Sequence, residues 1–206
     1  MRKGIGISCI VLGLLFLLTA VGFVIYNRYE ANNGKKNSQM LLENVQSGMN
    51  EAGEHRENPT DGALFEGTQD VAPREMLTVP AGRYDSIGIL SIPVLEVELP
   101  VLTDWSYEKL KKAPCHYYGS CYEANFVIAA HNYTSHFGRL SELLPGDLVL
   151  FTDVTGQVHC YEVVLLETLV PTATEEMITS GFDLSLYTCT PGGSNRVTVR
   201  CKTVNP

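Results

Sequence analysis

Residues 184–203 read LSLYTCTPGGSNRVTVRCKT, and the fold of the C-terminal half follows from this stretch. Two alternating segments flank a turn-rich run from Pro191 to Asn195, a pattern typical of an antiparallel hairpin. If Cys189 faces Arg196, nearly all of the apolar positions fall on one face: Thr188 with Val197, Leu186 with Val199, and Leu184 with Cys201. A slip of one residue would turn this set toward water, so we expect this register.

The opposite face of the predicted hairpin brings a cation beside a thiol. It carries Cys189 with Arg196, Tyr187 with Thr198, and Ser185 with Arg200, and we expect it to lie away from the core. Opposed Cβ atoms lie about 5 Å apart, and a neighbouring cation favours the nucleophilic thiolate. An arginine cannot serve as a base, so Arg196 is expected to stabilise thiolate, substrate or oxyanion. Arg200 lies about 13 Å further along the strand, too far for the same carbonyl.

His131 is the best candidate for a proton carrier. It follows the short apolar run FVIAA at 126–130 and precedes the polar run NYTS, so it stands where a buried strand feeds a loop. The other histidines fit less well: His136 lies inside the loop, His116 in a turn region, His159 in a strand and His55 in a polar linker.

Several motifs occur together and in a defined order. They are IGILSIP at 87–93 with LPV at 99–101, VIAAH at 127–131, LPGD at 144–147, and LYTCTP at 186–191 followed by Arg196. In this order the chain from about Tyr84 to the C-terminus resembles the sortase family of cysteine transpeptidases. It departs from the family pattern at Ser185, where Thr is most frequent, and at Ala130, where Gly is common.

The resemblance implies a function for each site residue. Cys189 would be the nucleophile, His131 the general acid/base and Arg196 the group that holds substrate and steadies the oxyanion. Substrate contacts are expected from the neighbouring residues Thr188, Tyr187, Ala130 and Asn132. The implied reaction cleaves an LPxTG-like sorting signal of a secreted protein after its Thr and joins the acyl group to an amine.

The identity of the amine acceptor separates two subclasses. A wall-anchoring enzyme of class B, D or E type would use a cell-wall precursor, and a pilin-polymerising enzyme would use a pilin lysine. Thr190-Pro191 after the cysteine is common in the pilin group, but the segment before residue 84 has no Asp-Pro-aromatic motif, so wall anchoring is favoured. Two further alternatives are a hydrolytic cysteine peptidase and a non-catalytic, membrane-tethered binding domain.

The N-terminal third predicts an anchor and a stalk. Residues 5–26 form an uncharged apolar run long enough to cross a bilayer as a helix, after a short segment at 1–4. A transmembrane anchor is favoured over a cleaved signal peptide, and the resemblance implies a cytoplasmic N-terminus and an extracellular catalytic domain. Residues 27–83 are polar and acidic, which predicts a flexible stalk with at most a weak helix at 39–45.

Residues 84–206 suit one compact all-β domain. The pattern predicts a closed barrel of about seven or eight strands, with short helices near 107–112 and 175–180. The predicted strands are 87–92, 94–102, 126–130, 148–152, 159–168, 184–189 and 196–203.

The net charge and the positions of the cysteines and histidines bear on nucleic-acid binding, metal binding and disulfide formation. The net charge of −8 argues against binding nucleic acid. We expect no cofactor and no metal, because the spacing of Cys115, His116, Cys121, His131 and His136 matches no paired zinc pattern. The sequence allows two interpretations of the remaining cysteines. They either form the disulfides Cys115–Cys121 and Cys160–Cys201 or are buried, reduced thiols.

Overall fold

The computed structural model describes residues 2–54 and 74–205, and these fall into two compact units that divide between residues 33 and 34. Its helices are α1 Arg2–Glu54, α2 Tyr107–Leu110 and α3 Thr174–Ile178, with two short 3-10 helices at Pro93–Leu95 and Leu140–Glu142. Its strands are β1 Val79–Ala81, β2 Tyr84–Ile92, β3 Val97–Leu102, β4 Cys115–Tyr118, β5 Phe126–Ala129, β6 Leu148–Asp153, β7 Val158–Leu169, β8 Leu184–Cys189 and β9 Arg196–Thr203.

Strands β2 to β9 close into an eight-stranded barrel. Their order is β2-β3-β4-β5-β8-β9-β7-β6, and β6 pairs with β2 to complete the circle. The short β1 pairs with the first residues of β2. The β3–β4 and β5–β8 pairs are parallel and the other pairs are antiparallel. The expected closed barrel with short helical insertions is confirmed.

Alternation along the strands fills the barrel with apolar side chains. Leu90, Phe126, Phe151 and Leu186 are fully buried in one cluster, as expected where every second residue of each strand points inward.

Gly88 permits the close approach of β2 and β6. Its φ is 153°, and a Cβ there would lie 2.2 Å from the carbonyl oxygen of Thr152. The register between β2 and β3 shifts at the same place, where the Ser86 hydroxyl donates to the Val101 carbonyl at 2.8 Å.

The strand predictions hold for seven strands, with two differences. The strand expected from Val94 begins at Val97, because Pro93–Leu95 forms a 3-10 turn and Glu96 adopts a left-handed conformation at φ 53°. The sequence missed β1 and β4, whose three and four residues are too short for a periodic pattern.

The segment after the apolar run differs from the flexible stalk that its composition predicts. Residues 27–54 are helical, and within the second unit Leu41 and Val45 of α1 are buried in a cluster with Val79 and Ala81. These two apolar residues stand four apart and so share one face of the helix. Leu41 and Val45 therefore pack within the second unit despite the polar composition of residues 34–54. Of the remaining expected stalk, residues 55–73 lie outside the described residues and residues 74–83 contain β1.

Candidate active site

The β8–β9 hairpin has the expected register. Cys189 pairs with Arg196, and the five further pairs down to Leu184 with Cys201 match the prediction. The Thr190 amide donates to the Asn195 carbonyl at 3.0 Å and closes the turn, while Gly192 and Gly193 supply positive φ angles of 82° and 75°. Cys189 is exposed and Arg196 is half-buried, and the two residues occupy paired positions at the open end of the hairpin.

Strand β5 brings His131 to the same end of the barrel. It runs parallel to β8 with Ala129 paired to Tyr187, and the Ala130 amide donates to the Tyr187 carbonyl at 3.1 Å. His131 follows Ala129 by two residues, as Cys189 follows Tyr187. The backbones that carry His131, Cys189 and Arg196 therefore end at one edge of the barrel. Cys189 and Arg196 line a cleft there, and His131 is not among the described residues that line it.

The loop that carries His131 is held by its own backbone. The Phe137 amide donates to the His131 carbonyl at 3.2 Å, and the amides of His136 and Gly138 both donate to the Tyr133 carbonyl at 2.9 Å. The Tyr133 ring stacks on the imidazole with ring centroids 4.0 Å apart. These contacts restrict the position of the imidazole before any substrate binds.

A cleft of about 200 Å³ opens beside Cys189 and Arg196. Its floor includes Ala129 and Ala130 at the end of β5. One wall comes from the connection between β7 and β8, through Val170, Pro171, Ala173, Thr174 and Met177. Aliphatic and aromatic side chains make up most of the lining, and Arg196 is the one charged group among the described lining residues.

Aromatic side chains form the other wall, which the sequence did not predict. Trp105 lies 5.8 Å from Tyr107 and 5.7 Å from Tyr117 between ring centroids, and Tyr117 meets Tyr187 edge-on at 5.3 Å. Burial raises the pKa of Tyr187, with the neighbouring Tyr117 adding to the effect, so its hydroxyl stays protonated. These residues come from three separate segments, and only the closed barrel brings them together.

Comparison with known proteins identifies the family of the barrel domain. The sortase domain family model matches residues 90–204, which is more than half of the chain. The chain belongs to the sortase family. Comparison with curated protein sequences gives no match.

Solved structures agree with this assignment of a sortase domain. Sortase A from Corynebacterium diphtheriae matches with a TM-score of 0.55 and 24% identity, over 60% of this chain and 63% of that protein. Sortase C1 from Streptococcus suis matches with a TM-score of 0.52 and 29% identity, over 59% of this chain and 74% of that one. Sortase C from Streptococcus pneumoniae matches with a TM-score of 0.51 and 29% identity, over 59% and 70% of the two chains.

The four residues expected to contact substrate fall into two groups in this sortase domain. Tyr187 and Ala130 line the cleft. Thr188 is buried on the other face of β8, where its hydroxyl donates to the Ala130 carbonyl at 2.8 Å. Asn132 is half-buried and turns its carbonyl toward Gly138, where a Cβ would lie 2.6 Å from that oxygen. Thr188 therefore ties β8 to β5, and neither it nor Asn132 is among the described residues that line the cleft.

The polar face of the β8–β9 hairpin is expected from the sequence to lie away from the core, but most of it is buried. Ser185 and Thr198 are fully buried and Arg200 is 1% exposed. The connection between β7 and β8, which includes α3, folds over this end of the hairpin. The sequence missed this cover because a connection with a five-residue helix has no periodicity that predicts where it packs.

His136 of the same loop is fully buried behind the site. Burial lowers its pKa to about 4, a hydrogen bond with the backbone of Gly34 opposes this, and electrostatic repulsion between the two imidazoles of His136 and His131 adds to it. His136 is therefore neutral at physiological pH.

The remaining described histidines lie away from the cleft. His116 has its ring nitrogens near the carbonyls of Thr103 and Gly119, at 3.1 and 2.8 Å, and His159 lies 3.5 Å from Asp153.

The five described cysteines of the sortase domain are free thiols, so neither considered disulfide is present. Cys121 stands in a group with Asp153 and His159 whose ligand atoms lie within 4.8 Å of one another, as a metal would require. The Asp153 carboxylate already accepts hydrogen bonds on both oxygens, from Tyr122 at 2.8 Å and from the Thr155 hydroxyl at 2.6 Å.

Proposed function

We propose that this sortase cleaves an LPxTG-like sorting signal after its Thr and transfers the acyl group to an amine. The observation that carries the proposal is the shared edge of β5, β8 and β9, with Cys189 and Arg196 lining one cleft and His131 just beyond the end of the neighbouring strand. A nucleophile, a proton carrier and a fixed cation are the groups that acyl transfer requires.

The proposed chemistry has two stages. The Cys189 thiolate attacks the Thr carbonyl, a C–S bond forms, and Arg196 stabilises the negative charge that develops on the oxygen. The C–N bond then breaks while protonated His131 gives its proton to the departing amine, which leaves a thioester. An incoming amine, deprotonated by His131, attacks this thioester and regenerates the thiolate with a new amide bond.

A peptide assay tests the reaction. The purified protein would be incubated with an LPxTG-type peptide, with and without an amine, and both enzyme and products followed by mass spectrometry. We expect an acyl adduct on Cys189 and an amide product that needs the amine, and neither with Cys189→Ala. Hydrolysis without any amine adduct would support a peptidase instead. A biological activity that persists in Cys189→Ala would support a binding domain.

We further propose that the physiological product is a surface protein attached to a cell-wall precursor. The alternative, polymerisation of pilins through a lysine, is supported by Thr190-Pro191 and by the likeness to sortases C. A competition assay with equal amounts of a glycine amine, as in a wall-type acceptor, and of a lysine side-chain amine on a pilin-type peptide separates the two. Preference for the lysine amine would transfer the proposal to pilin assembly.

We propose that the apolar part of α1 anchors the protein in a membrane, and the resemblance to sortases implies an N-terminus in the cytoplasm and a catalytic domain outside the cell. The helix is long and apolar enough to cross a membrane, with a mean hydropathy of 2.3 in its most apolar window. We expect the protein in the membrane fraction after alkaline extraction and the catalytic domain accessible to protease on intact cells. Release by alkali would contradict the anchor, and protection from protease would reverse the orientation.

A further inference from the structure

We propose that Arg200 is a positioning residue that clamps α3 and thereby fixes the cleft wall that meets the substrate. Arg200 lies on β9, four residues beyond Arg196, and its side chain is the largest of those that are fully buried among the described residues. A buried guanidinium is costly unless its N–H groups find acceptors. The hydrogen-bond acceptors of Arg200 therefore show which elements it connects.

Two of those acceptors are backbone carbonyls of α3. Nη2 donates to the Glu176 carbonyl at 2.8 Å and Nη1 to the Met177 carbonyl at 3.3 Å. Carbonyls in the last turn of a helix have no partner within it, and a cation there also offsets the helix dipole. The last turn of α3 contains no basic residue of its own. Arg200 therefore supplies, from β9, the cationic hydrogen-bond donor that the C-terminal turn of α3 does not contain.

The other acceptors fix the guanidinium to the barrel. Nε donates to the Glu167 carboxylate on β7 at 2.7 Å, and Nη1 donates to the Ser185 hydroxyl on β8 at 2.8 Å. Side chains from both strands that flank β9 thus fix the guanidinium through Nε and Nη1, and Nη1 and Nη2 donate to α3. Moving α3 would require both hydrogen bonds to its carbonyls to break together.

The clamped helix forms part of the cleft. Ala173, Thr174 and Met177 line the cleft beside Cys189, and Met177 is also one of the two residues whose carbonyl Arg200 holds. Loss of the clamp would let this wall move while leaving the thiol, the imidazole and Arg196 in place. The expected effect falls on substrate affinity more than on chemistry, and this part of the inference rests on the proposed function.

Arg200→Lys tests the clamp because it keeps the charge but not the planar fork that reaches four acceptors. We expect amide hydrogen exchange to accelerate at least about tenfold at residues 174–179, while the amides of β5 and β9 stay protected. For a cleaved peptide we expect KM to rise about tenfold with little change in kcat. Arg139→Lys is the matched control, because Arg139 also donates to a carboxylate, that of Glu142, and to a carbonyl, that of Leu95. It should leave both readouts unchanged.

Substitutions at Ser185 cover the case in which Arg200→Lys does not fold. Ser185→Ala removes one anchor of the guanidinium without touching α3 and should loosen residues 174–179 in the same direction, while Ser185→Thr keeps a hydroxyl and should restore protection. Unchanged exchange of α3 in folded Arg200→Lys, or in Ser185→Ala if the former fails to fold, would overturn the inference. The exchange measurement needs no substrate, so it stands even if no sorting-signal peptide is processed.

Discussion

Among single residues, Arg196 has the most specific chemical assignment to test. Its Nη1 donates to the carbonyls of Gly193 and Asn195 at 3.2 and 3.1 Å, which holds the guanidinium against the turn. We expect Arg196→Ala to lower kcat/KM for transpeptidation by about 10²- to 10³-fold, as when an oxyanion donor is lost. Arg196→Lys should fall in between, because it keeps the charge without the fork. Steady-state kinetics measures both, and a circular dichroism spectrum and urea unfolding curve like those of the wild type confirm an intact fold. A loss of less than about threefold in Arg196→Ala would contradict the assignment.

The second prediction for a single residue concerns His136 and the dependence of the free energy of unfolding on pH. Its folded pKa of about 4 lies below the ordinary histidine value of 6.5, so the unfolded chain takes up the proton more readily. The stability that neutral His136 contributes is complete above about pH 6.5 and is lost as the pH falls toward 4, by up to about 3 kcal/mol.

Urea unfolding at a series of pH values measures this loss in the wild type and in His136→Gln. The variant should lack most of the decline between about pH 6.5 and 4. Asp153 and Asp183, whose pKa values hydrogen bonds hold below their usual range despite burial, titrate at lower pH in both proteins. Parallel pH profiles for the two proteins would mean that another group is responsible.

Among the secondary structure elements, the contact between α1 and the His131 loop is open to a matched pair of substitutions. A Cβ at Gly34 would lie 2.6 Å from Tyr133 Cδ2, and the Tyr133 ring stacks on His131. A Cβ at Gly48 of the same helix would meet Val79 only at 3.4 Å. Alanine favours a helix over glycine by about 1 kcal/mol at either position.

We therefore expect Gly34→Ala to lower kcat by about three- to tenfold by displacing Tyr133, and Gly48→Ala to keep wild-type kcat with equal or greater stability. Kinetics with a sorting-signal peptide and urea unfolding of both variants provide the comparison. Equal kcat values for the two variants would show that the helix does not influence the loop.

The elements also differ in how far the sequence predicts them. The β8–β9 register follows from a period of two and a short turn, both local properties, and it is confirmed pair by pair. The arrival of His131 beside this hairpin depends on the parallel β5–β8 pair, which joins residues about 58 apart and leaves no local pattern. Sequence reasoning reached it only through the order of motifs. The aromatic wall and the cover by α3 depend likewise on closure of the barrel.

On the scale of the whole molecule, barrel closure positions the site. The three strands that carry the candidate groups lie side by side in the order β5-β8-β9, although α3 and two further strands intervene in the chain between His131 and Cys189. A closed barrel has no free edge, so these neighbours cannot slide without breaking several ladders at once. The long-range pairing therefore fixes the ends of β5, β8 and β9 relative to one another, which the hydrogen bonds within the His131 loop cannot do.

The boundary of the folded catalytic unit is the last prediction and also concerns the whole molecule. Residues from Gly34 onward form one compact unit, in which Leu41 and Val45 of α1 are buried against β1. A chain that begins at Gly34 should match the full chain in free energy of unfolding within about 1 kcal/mol. A chain that begins at residue 55 should be less stable by about 3–5 kcal/mol, since it loses the burial of two aliphatic side chains.

Urea unfolding measures the stability of both chains. The double variant Leu41→Ala with Val45→Ala in the longer chain should give an intermediate value, because the helix backbone remains. Equal stability of the chains that begin at residues 34 and 55 would mean that the helix only rests on the barrel and that the polar composition of residues 34–54 correctly indicated a tether.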